Sequence, residues 1–134
     1  NIQANLAISL HAPTDEIRSR LMPVNNAFPI KKLLQAVDHY IEKTNRKVMF
    51  EYLLIDGIND SDASAEDLVR LTKKKLYHIN LIKYHSTSAA LRASSQTRQT
   101  RFFDILKKAG VSCTFRRSFG EDIKAACGQL GGKR

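Results

Sequence analysis

The sequence holds only two cysteines, Cys113 and Cys127, in 134 residues. Two thiols fall short of the roughly four ligands that zinc and iron–sulfur sites usually take, so they make no metal site alone. No apolar run approaches the ~20 residues of a membrane helix, so no membrane partner is expected. A secretory apolar segment is missing, as is an initiator Met. A chain with no signal segment and enough apolar residues for a core is expected to be cytoplasmic, with reduced thiols. Asn1-Ile2-Gln3 leads at once into an apolar stretch, as if the chain had been cut just before a strand, and reads as the start of a fragment. GxGxxG and Walker A motifs are absent, which removes support for nucleotide binding of those types. Internal repeats and low-complexity tracts are absent too.

Acid is also scarce. Thirteen Asp and Glu stand against 22 Lys and Arg, for a net charge of +9. That balance favours a polyanionic partner, nucleic acid first, with an inert basic surface as the alternative. The apolar fraction of 43% is ordinary for a globular protein. At this length one domain, or a piece of one, can bury roughly 70% of its surface.

The apolar spacing gives the elements. Ala4 to Leu10 predicts a strand with Leu6, Ile8 and Leu10 on one side and small or polar residues on the other. A helical turn is expected from Asp15 to Arg20. Ile30, Leu33, Leu34, Val37 and Ile41 predict an amphipathic helix over Ile30–Thr44, ended by Asn45-Arg46. Val48 to Ile55 is nearly all apolar and suits a parallel strand covered on both faces. Asp62 or Ser64 can cap a helix running to about Lys75, and Ile79 to Tyr84 predicts a third strand. His85 to Ala93 reads as a loop. Ser94 or Ser95 can cap a further helix stopped by Gly110. Ser112 to Arg116 predicts a fourth strand, and Glu121 to Cys127 a last helical turn.

This β-α alternation with short connections predicts an α/β fold of parallel strands with helices outside. Either an open doubly wound sheet or an arc of a (β/α) barrel fits. Both gather ligands at the C-terminal ends of their strands. There the sequence places Ser9 and His11, then Asp56, then Tyr84 and His85. Loops are polar in any case, so the recurrence is a hint of a site and no more. The small, polar second face of the first strand (Asn5, Ala7, Ser9) suits a lumen that admits a ligand. Glu51, inside an apolar strand, needs a partner, and an ion pair or an edge position is expected ahead of catalysis. His11 and Cys127 could form a nucleophile pair, though nothing in their spacing supports it. Arg92, Arg98, Arg101, Arg116 and Arg117 are candidate phosphate contacts. Lys73 to Lys75 fit a solvated face best.

Four segments carry a family resemblance. They are LAISLHAPTDEIRSRLMPVN (Leu6 to Asn25), EYLLIDGIND (Glu51 to Asp60), INLIKYH (Ile79 to His85) and RRSFGEDIKAACGQL (Arg116 to Leu130). In this order the chain resembles the second half of the radical-SAM adenine-carbon-2 RNA methyltransferases, the RlmN family. The resemblance implies the later part of a partial (β/α) radical-SAM barrel. Residues 1–110 would continue the barrel, and 111–134 would form a C-terminal segment bearing a methyl-carrying cysteine.

It further implies that Cys127 takes a methyl from S-adenosylmethionine (SAM) as a thiolate, the nucleophilic form. A radical made from a second SAM at a [4Fe–4S] cluster then activates that methyl for addition to the base. Ser9, Leu10 and His11 match the family's SLH contact to SAM. His85 stands where many members have an Asn that touches SAM, and an imidazole still offers a hydrogen bond there. Phe119 replaces a common Arg. Implied partners are 23S ribosomal RNA, with transfer RNA a further candidate, and a reductant protein for the cluster. The CxxxCxxC cluster motif, the Gly-Glu SAM segment and the second, resolving cysteine are not in this sequence, so the chain alone is expected to bind no cluster and transfer no methyl. Three other readings stay open. One is the related carbon-8 adenine methyltransferases. Another is a non-catalytic basic RNA-binding α/β module. The last is a hydrolase using Cys127 and a histidine.

Overall fold

The computed structural model describes residues 6–85 and 90–116. The expected helical turn at Glu121 to Cys127 lies outside them. In chain order the elements are β1 (Leu6–Ser9), α1 (Asp15–Leu21), α2 (Ile30–Thr44), β2 (Val48–Leu54), α3 (Asp62–Thr72), β3 (Tyr77–Lys83), α4 (Gln96–Lys108) and β4 (Cys113–Phe115), with a 3-10 turn at Pro23–Asn26.

The four strands are parallel and lie in the order β1-β2-β3-β4. A doubly wound sheet reverses strand order at a switch point. This sheet runs straight on, as an arc of a (β/α) barrel does. Val48, Phe50, Tyr52 and Leu54 of β2 are fully buried and pack with Val37, Leu68, Phe102 and Leu106 of the helices. Met49, Glu51 and Leu53 point the other way and are only half-buried. The expectation that β2 is covered on both faces is therefore corrected. Among the described residues, helices cover one face, and the apolar Met49 and Leu53 belong to the concave one. Tyr52 stacks on Phe102 with centroids 5.3 Å apart, and Phe50 on Tyr77 at 5.0 Å.

Helix boundaries follow local chemistry. Thr14 caps α1 by accepting from the Ile17 amide. Proline at the N-cap leaves α2 without its own cap. The Asp15 carboxylate replaces it, accepting from the Ile30 amide at 2.9 Å. Asn45, left-handed at φ 56°, ends α2 as expected. Ser61, rather than Asp62 or Ser64, caps α3, because it holds the extended conformation a cap needs and its Oγ accepts from the Ser64 amide at 3.0 Å. Helix α3 stops at Thr72, since Lys73 leaves helical dihedrals. Strand β3 starts two residues earlier than the sequence suggests, because buried Tyr77 pairs with Val48. Ser95 caps α4, and Gly110 at φ +86° ends its last turn.

The loop after β2 is tied down by Asn59, which is fully buried. Its Oδ1 accepts from the Ile55 amide at 2.8 Å. Its Nδ2 donates to Leu53 O at 2.7 Å and His11 O at 2.8 Å. The Tyr52 hydroxyl donates to Asn59 O at 2.7 Å. One amide thus stitches the ends of β1 and β2 together. Replacing Asn59 with Ala leaves a buried amide and two carbonyls without partners, and each costs about 1–3 kcal/mol. Urea unfolding of Asn59→Ala should show a loss of about 3 kcal/mol or more.

Candidate functional site

The C-terminal strand ends form a rim held by two side chains. Arg18, on α1, is buried. Its Nε donates to Leu10 O at 3.0 Å, its Nη2 to Ser9 O at 2.9 Å and its Nη1 to Asn25 Oδ1 at 2.9 Å. Asn25 in turn donates to Asp15 Oδ1 and Ser19 Oγ. From the other side Asn59 holds His11 O. Every carbonyl of the Ser9-Leu10-His11 segment is therefore fixed by a side chain. Sequence reasoning missed Arg18, Asn25 and Asn59 as its holders.

His11 sits at φ 58°, a left-handed conformation to which histidine is better suited than most residues. Its Nδ1 accepts from the Leu53 amide at 3.0 Å, which puts the ring proton on Nε2. Burial first, and the nearby Arg18 charge second, push its pKa down to about 4. The ring is neutral at pH 7 and offers an Nε2–H donor. Ser9 is exposed on the concave face, and Leu10 is fully buried, anchoring the segment from the helical side. His85 follows the end of β3, the strand next to β2, so the sequence places it on the same rim. Its Nε2 is buried and finds no hydrogen-bond partner among the described residues. A buried ring nitrogen left over at a strand end is what a polar ligand would satisfy.

The register carries a polar row across the concave face, with Ser9 beside Glu51, Glu51 beside Asn80 and Asn80 beside Thr114. Glu51 does not take the edge position that was one expectation, since it lies on an interior strand, and among the described residues no hydrogen bond or salt bridge reaches its carboxylate. Thr114 Oγ1 donates to Asn80 Oδ1 at 2.5 Å and faces His78 Nε2 at 3.1 Å, while His78 Nδ1 lies 2.7 Å from Ser112 Oγ. Alternating polar residues in HINL and SCTF were the legible signal for this row.

Other candidates fall elsewhere. Cys127 and Arg117 lie outside the described residues. Cys113 is buried in β4, and burial pushes its thiol up to about 11. Arg98 and Arg101 do not stand ready for phosphate, because both grip Asp62. Arg101 is bidentate, its Nε donating to Asp62 Oδ1 at 3.2 Å and its Nη2 to Oδ2 at 2.9 Å, and Arg98 Nη2 donates to Oδ1 at 2.8 Å. These bonds, those from Arg101 first, hold the Asp62 carboxyl down at about 2. Asp60 accepts from the Ser94 hydroxyl and from the Gly57 amide. Among the described residues no group of three His, Cys, Asp or Glu could hold a metal, so no cluster step is attached to them. On this rim His85 Nε2 is the buried polar atom left without a partner among the described residues, and the Ser9 hydroxyl and the His11 ring lie at the end of β1.

Solved structures define the class. A radical SAM methyltransferase from Sphaerobacter thermophilus superposes with a TM-score of 0.85 and 49% identity, covering 96% of this chain and 38% of that one. A domain of pyruvate-formate lyase-activating enzyme from Bacteroides vulgatus shares the fold alone, with a TM-score of 0.66 and 18% identity, covering 82% of this chain and 65% of that one. The architecture is that of the radical SAM enzymes. No family model matches the chain. A probable dual-specificity RNA methyltransferase RlmN of Streptococcus pyogenes serotype M5 is 49% identical over 136 residues, covering 98% of this chain and 38% of its own length. One from Enterococcus faecalis is 47% identical over 137 residues, covering 99% and 38%. The chain belongs to the RlmN family, and it spans about 38% of the length of these curated relatives.

The neutral His11 has a consequence for stability. Its pKa is lowered from 6.5 to about 4, so the unfolded chain binds the proton more readily. Stability contributed by the neutral ring is intact above pH 6.5 and falls as pH drops toward 4, by at most about 3 kcal/mol. His11→Asn keeps a side chain tolerant of positive φ but cannot titrate. Urea midpoints at pH 7 and pH 4.5 should drop more for the parent protein than for this variant.

Proposed function

We propose that the chain is the C-terminal part of an enzyme that methylates carbon 2 of adenine in 23S ribosomal RNA, with transfer RNA as a second substrate class. In this reading residues 1–110 continue the barrel, β4 adds a further parallel strand to the same sheet, and the rest of the 111–134 segment carries Cys127. The enzyme works in the cytoplasm with a reductant protein. The observation that supports the reading is the pinned Ser9-Leu10-His11 strand end on the rim that also bears the unsatisfied His85 Nε2.

When bound, SAM supplies an electrophilic methyl group and, after reductive cleavage at a [4Fe–4S] cluster, a hydrogen-abstracting radical. The chain's own residues do the rest. Ser9 and His11 orient the cofactor from one strand end and His85 from another. Arg18 and Asn59 keep that end from shifting, since misplacement by about 1 Å can cost about 100-fold in rate. Cys127, as thiolate, forms the bond from sulfur to the methyl carbon while the sulfonium–methyl bond breaks. The resulting thioether would hold the methyl carbon for presentation to the base.

In the full-length enzyme, Cys127→Ala should abolish methylation, and peptide mass analysis of the parent should find a methyl adduct on Cys127. Nucleoside analysis should give 2-methyladenosine; 8-methyladenosine would move the assignment to the carbon-8 family. Turnover retained by the Cys127→Ala enzyme would overturn the reading. His85→Ala removes one hydrogen bond and should weaken SAM binding about 10-fold by calorimetry.

A further inference from the structure

At the edge of the sheet opposite this rim, the lead-ins to three strands meet. Lys47 precedes β2, Lys73, Lys74 and Lys75 precede β3, and Gly110 and Ser112 precede β4. Because the strands are parallel, all of these fall at one end. Together with Leu76 and Tyr77 they line a pocket of about 320 Å³. Gly110 borders one of the lysines: a Cβ there would stand in ordinary van der Waals contact, 3.6 Å from Lys73 Cε and 3.9 Å from its Nζ.

The charges in this pocket are unevenly matched. Lys74 is held by Asp38 at 3.1 Å and stands 5.4 Å over the Tyr77 ring. Lys47, Lys73 and Lys75 make no salt bridge among the described residues. Their field is felt nearby, since His78 has its pKa lowered by burial and then by Lys47. All four lysines are exposed, and they converge from two separate segments on a mainly polar concave surface, where like charges held close together raise the local potential.

We infer that this pocket binds phosphate groups of an RNA backbone, a second contact on the face away from the chemistry. The choice of RNA as polyanion rests on the function proposed above. The residue types agree with it. Lysines bind phosphate as point charges, and three of them here have no carboxylate partner among the described residues. Protein interfaces centre on apolar anchors, and the large exposed hydrophobics, Val24 and Phe28, lie outside this pocket.

The test uses the full-length protein and a labelled RNA hairpin carrying the target adenine, with anisotropy read across a potassium chloride series. The triple substitution Lys47→Gln, Lys73→Gln, Lys75→Gln should raise Kd about 10-fold near 0.1 M salt. It should also reduce the log–log salt slope by about 2–3, and the matching Lys→Arg triple should restore both. If the Gln triple does not fold, Lys75→Gln alone should reduce the slope by about 1. Unchanged affinity and slope would overturn the proposal, as would a loss confined to polyglutamate, which would mark an acidic protein partner. RNA held through these lysines without methyl transfer would sink the proposed function and leave the pocket standing. Methylation by variants of unaltered affinity would do the reverse.

Discussion

The buried guanidinium of Arg18 is the interaction on which the rim depends. A strand that ends at a site must turn, and its last carbonyls then lose their ladder partners. Arg18 takes two of these carbonyls at once, from Ser9 and Leu10, and spends its remaining bond on Asn25. A charged donor in a planar fork gives direction as well as strength. The same connection runs on through Asn25 and Asp15 to the first amide of α2. The cap of a fifteen-residue helix and the posture of the strand end are therefore one hydrogen-bonded unit.

The histidine that follows is shaped by that unit. A cation close by and a shell of protein around the ring both disfavour a second positive charge. Leu53 supplies the amide that fixes which nitrogen carries the proton. His11 thereby becomes a donor of known tautomer at a strand terminus, which is a positional property of the fold more than of the residue. Across the sheet, the row from Ser9 to Thr114 shows how strict parallel register converts alternation in separate sequences into one polar surface.

Local regularities were readable from the sequence, and long-range partnerships were not. The spacing of Ile30, Val37 and Ile41 announces α2 because a helix repeats within a few residues. The strand length of β2 and the stop at Gly110 are equally local. Arg98 and Arg101, by contrast, look like free cations until Asp62 arrives from 36 and 39 positions away. Asn59 reads as a loop residue because its key acceptor, His11 O, is 48 positions distant. The side chains proposed for the site, Ser9, His11 and His85, were visible because strand ends coincide there with polar residues. Those that hold the site in place were not, because their partners lie on other elements.

The burial of Cys113 has a practical side. A thiol with its pKa pushed up to about 11 is almost wholly protonated near neutrality, and thiols react as thiolates. Of the two sulfhydryls in this sequence, one is thus silent toward alkylating reagents under mild conditions. Alkylation of the folded chain at neutral pH therefore favours the other thiol.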